Sequence, residues 1–301
     1  MPRTIAVTGG TGLIGRKVID ALLARGDAVV ALARSTPRVD LPGAVEQREW
    51  SAREPAADLA DVEAVVHLAG EPIAGGRWTE ARKRSILESR VLGTRSIVEG
   101  IREAGASVRV LVSASGIDIH PDMGDAPIDE RSPVGGGFLG ELGQRWEAEA
   151  ARARERGARV VTLRTGLVLA REGGALPMMR TPFLLGVGGP MGSGGQYWPW
   201  IHVADEVGLV LHALDTESLD GPMICAAPQP VRQRDFAKAL GRALGRPAVL
   251  PAPAFALRLA LGEMAGTVLA SHNAVPRVAQ ESGYVFRFPT LDAALHDLDA
   301  R

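Results

Sequence analysis

The chain has 301 residues, with 34 Lys and Arg against 35 Asp and Glu, a formal net charge of -1 and 46% hydrophobic residues. That length suits one large domain, or a large domain with a smaller one attached, and the apolar content is ample for a sizeable core. The balanced charge gives no electrostatic basis for binding nucleic acid or an anionic membrane. The single cysteine, Cys225, excludes an internal disulfide and a cysteine metal cluster.

Taken in chain order, short apolar runs alternate with amphipathic stretches. Thr4 to Thr8 reads as a buried strand, Leu13 to Arg25 as a helix stopped by Gly26, and Ala28 to Ala33 as a second strand. Further strands are expected at Ala64 to Leu68, Val108 to Ser113 and Arg159 to Arg164, the last preceded by a helix that includes Arg145 to Arg156. Short apolar strands between helices of this length predict an α/β fold, a doubly wound parallel sheet of Rossmann type. After Gly166 the pattern changes. Gly and Pro are dense from Gly173 to Pro199, and helices are expected at Gln233 to Leu244 and Ala254 to Ala270, separated by Pro251 and Pro253. The expected organisation is a dinucleotide-type domain over 1–166, with 200–225 returning to it and Val203 to Leu214 as a helix. A smaller C-terminal substrate region would cover 167–199 and 226–301. No run reaches the roughly 18 apolar residues of a spanning helix, and only Met1, Pro2 and Arg3 precede the first strand. A cytoplasmic protein without a leader or membrane contact is expected.

The strongest local signal is Thr8-Gly9-Gly10-Thr11-Gly12-Leu13-Ile14-Gly15, a Gly-rich turn between an apolar strand and an amphipathic helix. Glycines allow the tight turn and a close backbone approach to a pyrophosphate. The helix N-terminus offers unpaired N–H groups and a partial positive charge. A dinucleotide should therefore contact Gly9, Thr11, Gly12, Leu13, Ile14 and Gly15. An NAD site usually carries an acid at the end of the second strand, about 20 residues on. Here the strand ends in Arg34-Ser35, which can face a 2′-phosphate. The expected cofactor is NADP(H) in preference to NAD(H).

These residues resemble the extended short-chain dehydrogenase/reductase superfamily, the NAD-dependent epimerase/dehydratase group. His67-Leu68-Ala69-Gly70 is similar to the group's fourth-strand motif beside the cofactor, Ser113-Ala114-Ser115 to its fifth-strand serine motif, and Trp200 to Asp205 to a later segment. Gly70-Glu71-Pro72-Ile73, Trp78-Thr79, Leu163-Arg164-Thr165-Gly166 and Gly173 to Pro177 sharpen the match to one branch. That branch goes under the name of sugar-nucleotide epimerases and carries a small C-terminal domain of unknown function. Gly245-Arg246-Pro247, Pro251-Ala252-Pro253 and Leu261-Gly262-Glu263 fit that domain. The resemblance implies cofactor contacts from Leu68, Ala69, Gly70, Ser113 and Arg164, a small-molecule substrate, and a homodimer through helices near 79–104 and 138–156.

The superfamily's chemistry uses a Tyr acid/base, a Lys that lowers its pKa, a Ser that positions the substrate oxygen, and an Asn. Counting back from Glu147 puts Leu139 at the Tyr position and Gly143 at the Lys position, and Arg90 stands at the Asn position; Ser115 alone is retained. His120 could transfer protons near neutral pH or be a surface loop residue. Tyr197, one of two tyrosines, could fold over the site or simply pack in its loop. Glu71, Lys83, Arg90 and His202 are candidate substrate contacts, each with a structural alternative. No histidine cluster has metal-ligand spacing, so no metal is expected. Two functions remain open: NADP(H)-dependent hydride transfer on a carbonyl or alcohol carbon, or a non-catalytic NADP(H)-binding sensor.

Overall fold

The computed structural model describes residues 2–34, 41–74 and 76–299. The chain runs β1 (Thr4–Thr8), α1 (Leu13–Ala24), β2 (Ala28–Ala33), β3 (Glu46–Glu49), β4 (Ala64–His67), α2 (Glu80–Ala104), β5 (Val110–Gly116), β6 (Pro127–Ile128), α3 (Gly137–Ala151), β7 (Arg159–Thr165) and β8 (Leu167–Leu169). It continues with α4 (Leu176–Leu184), β9 (Tyr197–Trp198), β10 (Trp200–His202), α5 (Val203–Asp215), β11 (Gly221–Cys225), β12 (Val231–Arg232) and α6 (Gln233–Ala243). The last elements are α7 (Ala254–Leu261), α8 (Ala265–Leu269), β13 (Asn273–Ala274), α9 (Arg277–Glu281) and α10 (Leu291–Asp299).

Seven strands form one parallel sheet in the order β11-β7-β5-β4-β1-β2-β3. This is the expected doubly wound α/β fold. Successive strand residues point to opposite faces, and both faces are covered. Ile5 and Val7 join Val18, Ile19 and Leu22 of α1 with Leu209 and Val210 of α5. Ala6, Val30 and Val65 pack on the other side with Ile97 and Ile101 of α2. Strand order reverses between β1 and β4, so the crevice outside their carboxyl ends is where such sheets take ligands.

Several elements differ from the sequence expectation, each for a local reason. β3 reads Glu-Gln-Arg-Glu and has no apolar signal; it is an edge strand that exists by pairing with β2. β5 runs on to Gly116, which places Ser115 inside a strand paired with Arg164. The helix expected over 254–270 breaks at Gly262, whose φ of 63° leaves the helical region, giving α7 and α8. A separate core of Phe183, Trp198, Trp200, Phe236, Leu240 and Leu295 lies beneath this C-terminal part. Asp205 pins its last segment to α5 by accepting from the backbone N–H groups of Arg287 (2.7 Å) and Phe288 (2.8 Å) and from the Tyr284 hydroxyl (3.1 Å). Among the described residues no helix is long and apolar enough to cross a membrane.

Candidate functional site

The turn after β1 is built for close backbone approach. Gly9 has φ 69°, and a Cβ on it would lie 2.9 Å from the Leu68 carbonyl carbon. A Cβ on Gly15 would overlap the Gly9 carbonyl oxygen, which accepts from the Gly12 N–H at 2.9 Å. Gly12 caps α1 without a side chain, and no acid stands in its first turn. The exposed N–H groups and the helix dipole therefore fit a pyrophosphate. Thr8, which sequence reasoning did not single out, holds the facing turn. Its Oγ1 accepts from the N–H groups of Leu68 (3.1 Å) and Ala69 (3.0 Å) and lies 2.8 Å from His67 Nδ1. Burial first, then the Arg90 charge, lowers the His67 pKa to about 3. The ring is thus neutral, and Nδ1 accepts the Thr8 hydroxyl proton.

These turns form one side of a cleft of about 440 Å³. Ser115 and Gly116 of β5, Leu139, Gly143 and Trp146 of α3, and the segment after β7 form the rest. Ser115 Oγ donates to Glu147 Oε1 at 2.7 Å. Arg164 binds both oxygens of the same carboxylate, through Nε at 2.9 Å and a terminal nitrogen at 2.8 Å. Its other terminal nitrogen donates to the Glu130 carbonyl (3.0 Å) and meets His120 Nε2 at 3.2 Å. His120 Nδ1 donates to the Pro133 carbonyl at 2.9 Å, and burial lowers its pKa. Ser115 is therefore the end of a chain of groups running from His120 through Arg164 and Glu147. Because its proton points to Glu147, its oxygen is left as an acceptor.

At the Tyr and Lys positions the cleft wall is hydrocarbon. Leu139 and Gly143 both line it, and a Cβ on Gly143 would lie 2.9 Å from Ile119 Cγ1. Ile119 occupies the start of any longer side chain there. Sequence reasoning also missed Glu206. It is 1% exposed, accepts from the Thr165 hydroxyl at 2.8 Å through Oε1, and has no partner for Oε2 among the described residues. Burial pushes its pKa up to about 7, opposed by the Thr165 hydrogen bond. A signal was available: Val203, Glu206, Val207 and Val210 share the inward stripe of α5.

Two family models match the chain. Residues 5–224 match the NAD dependent epimerase/dehydratase family, and residues 252–298 match a domain of unknown function (DUF1731). The chain belongs to the NAD-dependent epimerase/dehydratase family. It is 39% identical over 303 residues to the Arabidopsis thaliana epimerase family protein SDR39U1 homolog, chloroplastic, covering 97% of this chain and 85% of that one. It is 38% identical over 300 residues to the Mus musculus epimerase family protein SDR39U1, covering 98% and 99%. The crystal structure of human epimerase family protein SDR39U1 (isoform 2) with NADPH superposes with a TM-score of 0.92 at 34% identity, over 99% of each chain. A UDP-galactose 4-epimerase structure, at 21% identity and TM-score 0.77, shares the fold.

Within this epimerase-family cleft lie Gly9, Gly12, Leu13, Ile14, Gly15, Leu68, Arg90 and Ser115. His120 and Arg164 sit behind it, buried in the chain of groups that ends on Ser115. Thr11 is exposed, Ser113 is buried, and Ala69 is held through its N–H. Arg34 follows β2 with its side chain 81% exposed, 3.8 Å from Glu71 Oε1; Ser35 lies outside the described residues. Lys83 bonds Glu80 (2.8 Å) and Glu263 (3.0 Å), which raise its pKa, and lies over the Phe138 ring. Tyr197 packs under the Arg232 guanidinium at 4.5 Å, outside the cleft lining. His202 caps α5 by accepting from the Ala204 N–H at 3.0 Å and stacks on Phe288, beside a second cavity of about 410 Å³.

Proposed function

We propose that the chain binds NADP(H) and uses it for hydride transfer at a carbonyl or alcohol carbon of a small molecule. The observation that carries this reading is the 2.7 Å hydrogen bond from Ser115 to Glu147, made in the wall of the cleft that begins at the Gly9 to Gly15 turn. When bound, the nicotinamide supplies or accepts the hydride. The turn's N–H groups hold the pyrophosphate, and Arg34 meets the 2′-phosphate; the NADPH in the human relative's structure supports that preference. Ser115 accepts a hydrogen bond from the substrate hydroxyl. In the carbonyl-forming direction that hydroxyl proton moves to Ser115 Oγ as the Oγ proton moves to Glu147 Oε1. The reverse direction returns both. Arg164 keeps the Glu147 carboxyl aimed at the serine.

A second reading, a non-catalytic NADP(H) sensor, is favoured by one observation: Ile119 fills the space at Gly143 where the family's lysine would enter. One experiment separates the two. Aldehydes, ketones and nucleotide sugars are screened with NADPH, following absorbance of the reduced cofactor. Turnover that Ser115→Ala lowers by about 100-fold or more, at unchanged NADPH affinity, supports hydride transfer. Tight binding without turnover, joined to a cofactor-dependent change in oligomeric state, supports the sensor.

A further inference from the structure

Two neighbouring acids open α5, and only one of them is fully met by donors. Asp205 accepts from the N–H groups of Arg287 and Phe288 and from the Tyr284 hydroxyl. Glu206 is just as buried, yet it receives one hydrogen bond, from the Thr165 hydroxyl to Oε1 at 2.8 Å. Among the described residues nothing donates to Oε2, and no cation pairs with the group. A buried carboxyl oxygen without a donor costs free energy that a bound donor recovers. Glu206 lines the cleft that begins at the Gly9 to Gly15 turn, so a bound molecule can bring that donor.

The sheet says which part of the molecule arrives there. Ser115 and Arg164 are register partners on β5 and β7, and with Glu147 they form the wall on the α3 side. Side chains alternate along a strand, so Thr165 points the other way. It faces α5, as Leu163 does in the core shared with Leu209 and Val210. On that side the cleft is walled by Leu13, Ile14, Leu167, Val168 and Ala175, and Glu206 is the acid among them. Leu13 and Ile14 open α1, whose N-terminus suits a diphosphate. In the sheet, β2 lies on one side of β1, and β4, β5 and β7 follow on the other. A dinucleotide with its 2′-phosphate toward Arg34, just after β2, therefore carries its nicotinamide toward β5 and β7. Its ring bears one polar substituent, a carboxamide whose NH2 is a donor.

We infer that Glu206 recognises the nicotinamide carboxamide of NADP(H), with Oε2 accepting an N–H of the amide. This rests on the reading of the cleft as an NADP(H) site. Thr165 occupies Oε1 and leaves Oε2 as the acceptor. A hydrocarbon wall broken by one such acceptor orients a flat ring by its polar substituent.

The test is calorimetric titration, at pH 8, of NADP+ and its 3-acetylpyridine analogue, in which a methyl group replaces the amide NH2. At that pH the carboxyl, with a pKa of about 7, is ionised. The wild type should bind NADP+ about tenfold or more tighter than the analogue. Glu206→Leu should bind the two within about twofold of each other, through loss of NADP+ affinity. Glu206→Gln should do the same, because an amide NH2 in place of Oε2 accepts nothing; it also serves if Glu206→Leu proves unfolded by circular dichroism. Arg34→Ala, at the other end of the cofactor, should weaken both nucleotides and keep the preference. A wild type without the preference overturns the inference, and so do Glu206 variants that keep it, whether or not a substrate KM rises. Equal weakening of both nucleotides in the Glu206 variants overturns it too, since that would be an effect of packing. If the wild type binds neither nucleotide, the NADP(H) reading itself falls and the Glu206 contact with it.

Discussion

Ser115 Oγ on β5 and Glu147 Oε1 on α3 are 2.7 Å apart, and Arg164 on β7 grips the same carboxylate through two nitrogens. A strand, a helix and a second strand are thereby joined at one carboxylate. Arg164 is 6% exposed in its side chain and Glu147 16%, so the pair is largely withdrawn from water. Removing one charge of such a pair leaves the other buried and uncompensated. Glu147→Gln should therefore cost about 3 kcal/mol. Ser115→Ala removes only a neutral donor and should cost about 1 kcal/mol. Urea unfolding of both variants measures this. Equal, small losses would mean that the ion pair does not organise the wall.

Gly143 and Ile119 form a test of why the lysine position is empty. A Cβ at 143 would lie 2.9 Å from Ile119 Cγ1 and 3.0 Å from its Cβ. An alanine in a helix interior normally gains roughly 1 kcal/mol over glycine. Here overpacking should reverse the sign, at a cost of about 1–3 kcal/mol. Ile119→Ala alone should lose about 2–5 kcal/mol by leaving a cavity. The double variant should lose less than the sum by about 1 kcal/mol or more, read from a double-mutant cycle in urea. Additive losses would show that the two residues do not compete for one space.

Glu206 predicts a pH dependence of stability. Burial raises its pKa from 4.5 to about 7. Between those values the folded chain holds a proton that the unfolded chain has released. Stability should therefore fall as pH rises from about 4.5 to about 7, by about 3 kcal/mol in all, and level off above. Buried His67, held neutral with its pKa near 3, acts in the opposite sense. The difference between wild type and Glu206→Gln isolates the carboxyl. That difference curve, from urea titrations at pH 4 to 8, should favour the glutamine variant increasingly up to pH 7. A flat difference would mean that Glu206 is solvated.

The cofactor cradle separates two contributions. Gly15→Ala would drive a methyl group into the Gly9 carbonyl and distort the turn, so both NADPH and NADH should bind about tenfold more weakly or worse. On the proposed reading of Arg34 as the 2′-phosphate contact, Arg34→Ala gives up that contact and a long pairing with Glu71, and should cost NADPH about tenfold while leaving NADH unchanged. Fluorescence titration of the two reduced cofactors reads both effects. An Arg34 variant that keeps its NADPH preference would place the discrimination elsewhere.

The sequence by itself determined the parallel sheet and the glycine turn, because both rest on short-range physics. Apolar runs such as Ala28 to Ala33 dictate burial on two faces, and Gly9 to Gly15 dictates a turn whatever surrounds it. Leu139 and Gly143 were equally legible as departures from the family's chemistry. Only the tertiary structure decided which side chains meet around those two positions. Glu147 served in the sequence merely to mark spacing, yet it is the partner of Ser115; Glu206 turns inward; Arg90 is buried with no acid paired to it among the described residues; Tyr197 packs away from the cleft. These outcomes depend on side chains that meet across 32, 17 or 41 residues of chain, at Ser115–Glu147, Glu147–Arg164 and Thr165–Glu206. Periodicity and spacing are blind to such meetings, because the packing of β5, α3, β7 and α5 sets which polar atoms face one another.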